Sequence, residues 1–209
     1  MIVALNAPFV RLAYPLRSTA VESLVDNAGA LNALTALIAR ARATAPDESV
    51  KGYIARPFEV PNPSRFSDGS YGMLYAANSL TTAVRETAHH LARMFADGNA
   101  PKQDTRKKKL AIDLAGNVHD IRVAIDTNVP NGIYDPNDYR VSRTFGREQR
   151  EKKIAALHFD SVRNKHGGHC VGAFNPDIVK HATIAGDVAL VWDGKRFIEE
   201  HDISAIPES

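Results

Sequence analysis

Apolar residues change their spacing along this chain, and the change limits the fold to a mixture of helices and strands. They recur at helical intervals over 18–43 and 79–95, with Asn78 or Ser79 as the candidate N-cap of the second helix. A third, mostly polar segment over 142–157 is also predicted to be a helix. Short apolar runs typical of strands lie at 9–14, 53–55, 73–77, 110–114, 118–121, 170–174, 178–184, 188–192 and 196–198. Asp193-Gly194 between the last two runs is typical of a β-hairpin. With no internal repeat, the sequence predicts one α+β domain.

Length and composition exclude several classes of protein. The chain has 209 residues, so at about 150 residues per domain we expect a single domain over 1–209. A hydrophobic fraction of 44% excludes a disordered tail, a collagen or a coiled coil. A net charge of +2 excludes a polybasic nucleic-acid binder. No apolar run reaches the ~18 residues that span a bilayer, and Cys170 has no partner for a disulfide, so we expect a cytoplasmic protein.

Two segments between the predicted elements are polar. Residues 57–72 hold three prolines and two glycines, and a loop of this length in a compact domain is typical of a functional loop. Residues 97–109 end in the basic run 106–109, which is interpreted as a solvated linker. Because that run lacks interleaved aromatic residues, we expect no direct nucleic-acid binding by this chain.

Common catalytic and metal motifs are missing from the sequence. It contains no phosphate-binding P-loop, no dinucleotide-binding glycine motif after a strand and no Gly-x-Ser-x-Gly elbow. His89 and His90 are adjacent and would point about 100° apart on a helix, and His166 and His169 lack a companion pair, so no metal is expected. Cys170 lies inside a predicted strand, which favours a buried, inert thiol over a nucleophile.

One stretch, residues 64–86, combines residue types that suit an anionic, aromatic ligand. Arg65 lies in a glycine-containing loop, Tyr75 ends a strand ten residues later, and Glu86 follows after eleven more on the next helix. Glu86 lies about 130° from the middle of the apolar stripe, a position that by itself is typical of a solvated glutamate. If the three meet in one cleft, the guanidinium would bind a phosphate, the ring would stack on a base, and the carboxylate would hold a ribose hydroxyl or a developing cation.

A second stretch, residues 158–168, places a hydroxyl close to a cation. Ser161 and Arg163 precede the Gly167-Gly168 pair that leads into a predicted strand. This arrangement is consistent with a hydroxyl and a guanidinium at the rim of a cleft. Taken alone, it is more typical of an ordinary turn closed by a local serine or aspartate hydrogen bond.

Taken together, the two stretches resemble the RES domain family. The shared pattern is an arginine before an aromatic residue, a tyrosine at a strand end, Ala-x-x-Glu on a helix, and Ser-Val-Arg before Gly-Gly. Here these motifs are Arg65-Phe66, Tyr75-Ala76, Ala83-Val84-Arg85-Glu86, and Ser161-Val162-Arg163 with Gly167-Gly168. Val10-Arg11-Leu12 and Leu16-Arg17-Ser18-Thr19 are similar to the opening of longer members. The likeness covers about residues 9–199, although Phe66 stands where the family commonly has a tryptophan.

The resemblance implies a fold like that of ADP-ribosyltransferase toxins, a single mixed α+β domain with a cleft for NAD. It implies the toxin half of a bacterial toxin–antitoxin pair, held in a hetero-oligomer by an Xre-type helix-turn-helix antitoxin. It implies that NAD is consumed as a substrate, either by phosphorolysis with inorganic phosphate or by ADP-ribosyl transfer to a protein such as phosphoribosyl pyrophosphate synthetase. No metal and no membrane contact are expected.

The resemblance also implies the site residues. Arg65, Glu86 and Ser161 match the family's naming residues and are expected to be catalytic, with Glu86 stabilising positive charge on the ribose. The residues expected to contact NAD are Tyr75, Tyr53, Arg11, Arg56 and Arg163. A non-catalytic module that holds a nucleotide or a partner is the alternative from another class.

Overall fold

The computed structural model describes residues 1–15, 49–123 and 125–203. Its strands are β1 (Ile2–Ala13), β2 (Leu74–Ala77), β3 (Gln103–Asp120), β4 (Ala156–Asp160), β5 (His169–Ala173), β6 (Val179–Trp192) and β7 (Phe197–Ile203). Its α-helices are α1 (Val50–Glu59), α2 (Leu80–Asp97) and α3 (Arg140–Glu151). A 3-10 turn, Pro176–Ile178, precedes β6. The mixed α+β class is therefore confirmed, and the helix predicted over 18–43 lies outside the described residues.

The seven strands form one sheet in the order β1-β2-β5-β4-β3-β6-β7. β1 pairs with β2 at one edge and, along almost its whole length, with β3 at the other. The pairings therefore return to their start, and β1, β2, β5, β4 and β3 close into a ring. β3 connects the ring to the rest of the sheet, because its second edge pairs antiparallel with β6 and, at its end, parallel with β4.

The sheet buries side chains on both faces because successive side chains of a strand point in opposite directions. One core cluster contains alternate residues of β1 and β3, among them Leu5, Phe9, Leu110, Ile112 and Leu114. The opposite face of β2, β4 and β5 contributes Ala77, Leu157, Phe159 and Cys170 to a second cluster, which also contains Phe66 of the loop before β2. Burying each large side chain contributes about 1.5–3 kcal/mol, so these clusters hold the ring in place.

Helix α2 packs against the sheet by its apolar face. Ser79 caps it as predicted, its hydroxyl accepting a hydrogen bond from the backbone N–H of Thr82 at 3.2 Å. Val84 and Leu91, at helical spacing, pack onto Val188 and Leu190 of β6. This packing fixes the rotation of α2 and therefore the direction in which Glu86 projects.

Several elements match their sequence-based predictions. The strand at 73–77, the strand at 170–174 and the hairpin at Asp193-Gly194 are all present, with shifts of a few residues at their ends. Residues 60–73 contain no helix or strand, in agreement with the predicted loop. Within the described ranges, no helix is long and apolar enough to cross a bilayer.

The strand predicted at 53–55 is wrong, because these residues lie in helix α1. Tyr53 is only 3% exposed and packs into the core beside Leu74 and Ala76. A run of three apolar residues is too short to distinguish a strand from a buried helix, and the packing of Tyr53 decides it. Pro57 lies inside the last turn of α1, where it has no backbone N–H to donate to the carbonyl four residues earlier.

The solvated linker predicted at 97–109 is also wrong. β3 begins at Gln103 and carries the basic run between β1 and β6. Lys107 is only 1% exposed, and its Nζ lies 2.6 Å from the ring centroid of Tyr14. Burial lowers the pKa of Lys107 to about 7. Backbone pairing on both edges thus decides the strand despite its basic composition.

Three boundaries differ from the predictions for related reasons. The helix predicted over 142–157 ends at Glu151, and the missed strand β4 begins at Ala156. The separate strands predicted at 110–114 and 118–121 are one strand, β3, and those at 178–184 and 188–192 are one strand, β6. Glycine-containing segments interrupt the apolar pattern of each, but β3 stays paired with β1 through 115–117 and β6 stays paired with β3 through 186–187, with a register shift beside Lys109.

Candidate functional site

A cavity of about 460 Å³ opens beside β1, α1 and β2. Four of the residues predicted to contact a ligand line it: Arg11, Tyr53, Arg56 and Tyr75. Ser64 of the long loop completes one wall. The volume lies within the range of about 300–1,000 Å³ that is typical of small-molecule sites. Two guanidiniums and two phenol rings would suit a ligand that carries both phosphates and a flat ring.

Tyr75 is held firmly in the cavity wall. Its hydroxyl lies 2.9 Å from Ser64 Oγ and accepts a hydrogen bond from the backbone N–H of Phe66 at 3.3 Å. Its ring lies over Gly172 of β5, where a Cβ would approach the ring to 3.0 Å. Burial raises the pKa of Tyr75 to about 12, so its phenol is neutral at physiological pH.

Arg11 is the buried cation of the cavity. Its Nη1 donates a hydrogen bond to the backbone carbonyl of Tyr75 at 2.8 Å. Its Nε is buried, and the described residues offer it no acceptor. Burial lowers the pKa of Arg11 to about 10, which leaves the group cationic at neutral pH. A buried donor without an acceptor is costly.

Glu86 and Ser161, seventy-five positions apart in sequence, are joined by a hydrogen bond. Ser161 Oγ donates to Glu86 Oε1 at 2.6 Å. Ser161 Oγ in turn accepts hydrogen bonds from the backbone N–H groups of Arg163 at 3.2 Å and Asn164 at 2.9 Å. Ser161 is 3% exposed, whereas Glu86 is half-buried. The two backbone donors direct the serine proton to the carboxylate, so Ser161 fixes one oxygen of Glu86 in place.

The turn that presents Ser161 is anchored to α2 by Asn164. The Asn164 side chain donates to Thr82 Oγ1 at 3.0 Å and accepts from Arg85 Nη1 at 2.9 Å. Gly168 packs so closely here that a Cβ would lie 2.6 Å from the Asn164 carbonyl oxygen. The turn is closed by local serine hydrogen bonds, as one of the two interpretations of this stretch predicts, and it also carries Ser161 to Glu86.

Arg65 and Arg163 both bind the loop between β3 and α3. Arg65 Nη1 donates to the carbonyls of Ile133 at 3.3 Å and Asp135 at 3.0 Å, and its guanidinium lies 4.5 Å from the ring centroid of Tyr139. Arg163 Nη2 donates to the carbonyl of Pro136. Arg65 is 8% exposed and does not line the cavity beside β1, α1 and β2, although its neighbour Ser64 does. The structure therefore gives both arginines a part in positioning this loop.

His90 of α2 is affected by the carboxylate of Glu86 and by the guanidiniums of Arg65 and Arg163. Burial lowers the pKa of this histidine, Arg163 and Arg65 lower it further, and Glu86 opposes them. Cys170 is buried as predicted, and burial raises the pKa of its thiol, so the thiolate is disfavoured. Among the described residues, no group of three or more His, Cys, Asp or Glu side chains could hold a metal ion.

Some residues of this site were not singled out from the sequence. Ser64 precedes Arg65 and was overlooked as the partner of Tyr75, and Asn164 follows Arg163 directly. Adjacency to a motif residue was the only available signal for both. Thr82 and Asn164 become partners only through the packing of α2 against the turn after β4, across eighty-two positions of sequence.

The structure is a mixed α+β domain with a cationic, tyrosine-lined cavity and a glutamate held by a serine. The family follows from the sequence comparison: the RES domain model matches residues 38–193, three quarters of the chain, so the protein belongs to the RES domain family. Residues 9–37, which the resemblance to the family also included, lie outside that match.

The fold has a counterpart among solved structures. A chain of the M. tuberculosis MbcT-MbcA toxin-antitoxin complex superposes with a TM-score of 0.50 at 11% sequence identity, covering 97% of this chain and 87% of that one. At this identity the likeness concerns the fold. No curated protein matches the chain at a significant level.

Proposed function

We propose that this protein is the toxin of a toxin–antitoxin pair and that it consumes NAD by cleaving the bond between nicotinamide and ribose. The observation that carries the proposal is the hydrogen bond between Ser161 and Glu86. Its 2.6 Å length and its two backbone donors hold a half-buried carboxylate in a fixed orientation. Membership of the RES domain family supports the same conclusion.

The cavity fits the substrate that this reaction requires. NAD carries a pyrophosphate and a nicotinamide ring, and the cavity is lined by Arg11, Arg56, Tyr53 and Tyr75. We assign the arginines to the phosphates and the tyrosines to the ring. This assignment describes an ADP-ribosyltransferase-like cleft within a single domain of about residues 9–199.

The chemistry follows from the charges that develop during cleavage. As the bond from C1′ of the ribose to nicotinamide breaks, the electron pair leaves with nicotinamide and positive charge grows on the sugar. A fixed carboxylate stabilises that charge, and Glu86 would supply it without the cost of reorienting at that moment. Ser161 acts through Glu86 as a positioning residue. Arg65 and Arg163 hold the neighbouring loop and contribute positive charge for an attacking phosphate.

The acceptor is either inorganic phosphate or a protein side chain, and one assay separates them. The purified protein is incubated with NAD labelled on its adenosine half, with and without phosphate and with a host lysate. ADP-ribose-1-phosphate formed only with phosphate indicates phosphorolysis, and label on a protein band indicates ADP-ribosyl transfer. Intact NAD in every tube, with no labelled protein, would contradict the proposal.

We also infer a partner that keeps the toxin inactive. The fold match is to a chain from a toxin–antitoxin complex, which supports an antitoxin as that partner. The Xre-type identity of the antitoxin and a hetero-oligomer with it are part of this proposal, as is a cytoplasmic location. Co-expression of this chain with the product of the neighbouring gene, followed by co-purification, tests it, and separate elution of the two chains would count against it.

A further inference from the structure

Helix α3 carries four arginines along one side of its surface. Arg140, Arg143, Arg147 and Arg150 are spaced by three, four and three residues, which places them on one face over about 15 Å. We refer to these four residues as the arginine stripe. The opposite face of α3 is buried through Phe145, Gly146 and Gln149.

Most of the arginine stripe lacks a carboxylate partner. Arg140 forms an ion pair with Asp138, but within the described residues no carboxylate oxygen lies within 4.0 Å of Arg143, Arg147 or Arg150. Arg140, Arg147 and Arg150 are exposed, and Arg143 is half-buried. Three neighbouring cations without counter-charges repel one another, so their arrangement is favoured when an anion binds them.

Two of these arginines are held in position by tyrosine rings. The guanidinium of Arg150 lies 4.8 Å from the ring centroid of Tyr71, and that of Arg143 lies 5.7 Å from that of Tyr139. Arg143 Nε also donates to the carbonyl of Ser64 at 3.0 Å. Stacked guanidiniums lose less side-chain entropy when they bind a carboxylate. Because Ser64 lines the cavity beside β1, α1 and β2, the Arg143 end of the stripe lies next to that cavity.

Carboxylates next to the arginine stripe affect which polyanion fits it. Hydrogen bonds from Ser70 lower the pKa of Asp68, and the nearby charge of Arg147 lowers it further. The helical positions of Glu148 and Glu151 place two exposed carboxylates along one margin of the stripe. These carboxylates repel the second row of phosphates of a duplex but leave room for one narrow row of carboxylates.

We propose that the arginine stripe of α3 docks an acidic segment of a protein partner beside the mouth of the cavity. Each of the three guanidiniums without a carboxylate partner, Arg143, Arg147 and Arg150, can donate to one carboxylate, so the stripe matches a segment with glutamates or aspartates on one side. The proposal goes beyond the NAD chemistry and does not depend on it, since binding to the stripe requires no turnover.

The test uses the full chain and a fluorescein-labelled peptide of eight glutamates, with binding followed by anisotropy in about 50 mM salt. The double variant Arg147→Gln/Arg150→Gln is expected to bind about three- to tenfold more weakly, because two exposed ion pairs are lost. The matched control Lys195→Gln/Arg196→Gln removes the same charge from the β6–β7 hairpin and is expected to change binding less than about twofold.

Three results would overturn the proposal: no binding of the peptide, equal weakening by both double variants, or stripe-dependent binding of a short DNA duplex that is tighter than that of the peptide. The single variant Arg147→Gln guards against a folding defect, since this exposed side chain makes no stacking contact with Tyr71 or Tyr139. It should also weaken peptide binding, by about two- to threefold, and unchanged binding would count against the stripe.

Discussion

The cavity and the Glu86–Ser161 pair differ in how their polar groups are satisfied. In the cavity, Arg11 keeps a buried Nε without an acceptor among the described residues, and Arg56 is exposed. In the pair, Ser161 uses its oxygen for two backbone donors and its proton for Glu86. Uncommitted cations are suited to binding a ligand, whereas a saturated hydroxyl is suited to holding another group still. We therefore expect the cavity to determine the affinity for NAD and the Glu86–Ser161 pair to determine the rate of its cleavage.

Glu86→Gln tests this division with the largest expected effect. The substitution keeps the shape and the acceptor for Ser161 but removes the charge, so kcat for NAD cleavage should fall by about 100-fold or more, with KM changed less than about threefold. Steady-state release of nicotinamide measures both constants, and Glu59→Gln, an exposed glutamate of α1, is the control. A variant that keeps a tenth or more of the activity would show that the carboxylate is not catalytic.

Arg11→Met should produce the opposite pattern. Loss of a buried cation that contacts a phosphate costs about 1.5–2 kcal/mol, so KM for NAD should rise about 10- to 30-fold while kcat stays within about threefold. The same nicotinamide assay gives the result, and Arg106→Met removes an exposed arginine of β3 as a control. A fall in kcat at unchanged KM would remove the distinction between the two regions.

Ser161→Ala should affect both stability and turnover. The backbone N–H groups of Arg163 and Asn164 lose their acceptor, which should lower the free energy of unfolding by about 1–3 kcal/mol. Glu86 becomes free to rotate, so kcat should fall about tenfold. Urea unfolding and nicotinamide release measure the two effects. Ser70→Ala, at an exposed serine bonded to Asp68, should leave kcat unchanged. Full activity of Ser161→Ala would contradict the positioning role.

Acid should destabilise the fold through His158, which lies in β4. Burial lowers the pKa of His158 to about 4, from an ordinary value of 6.5. Between those pH values the unfolded chain binds a proton that the native chain does not, so the free energy of unfolding falls as pH falls. We expect a loss of about 1 kcal/mol between pH 6.5 and 5.5 by urea unfolding, with a smaller slope for His158→Gln. Equal slopes would assign the effect elsewhere.

Sequence reasoning identified the parts of this molecule whose signals are local. The cap at Ser79, the hairpin at Asp193-Gly194 and the loop after α1 depend on neighbouring residues, and all three are present. The basic run 106–109 failed because pairing of β3 with β1 and β6 outweighs its composition. No local pattern contains that pairing.

The candidate site divides in the same way. The motif residues Glu86 and Ser161 could be named from sequence, but their hydrogen bond requires α2 and the turn after β4 to pack together. Asn164 and Ser64 had no distinguishing pattern, since their importance lies in partners far along the chain. Arg65 was expected at the ligand and instead binds the carbonyls of Ile133 and Asp135, which only the folded loops bring to it.

The central claim is that one NAD molecule occupies the cavity while its reacting ribose lies against Glu86. A crystal structure of the Glu86→Gln variant grown with NAD tests it most directly, since the slow variant keeps the substrate intact. The account predicts phosphate oxygens at the guanidinium of Arg11 and the nicotinamide ribose beside the substituted position. NAD bound outside the cavity, or with its ribose away from residue 86, would contradict it.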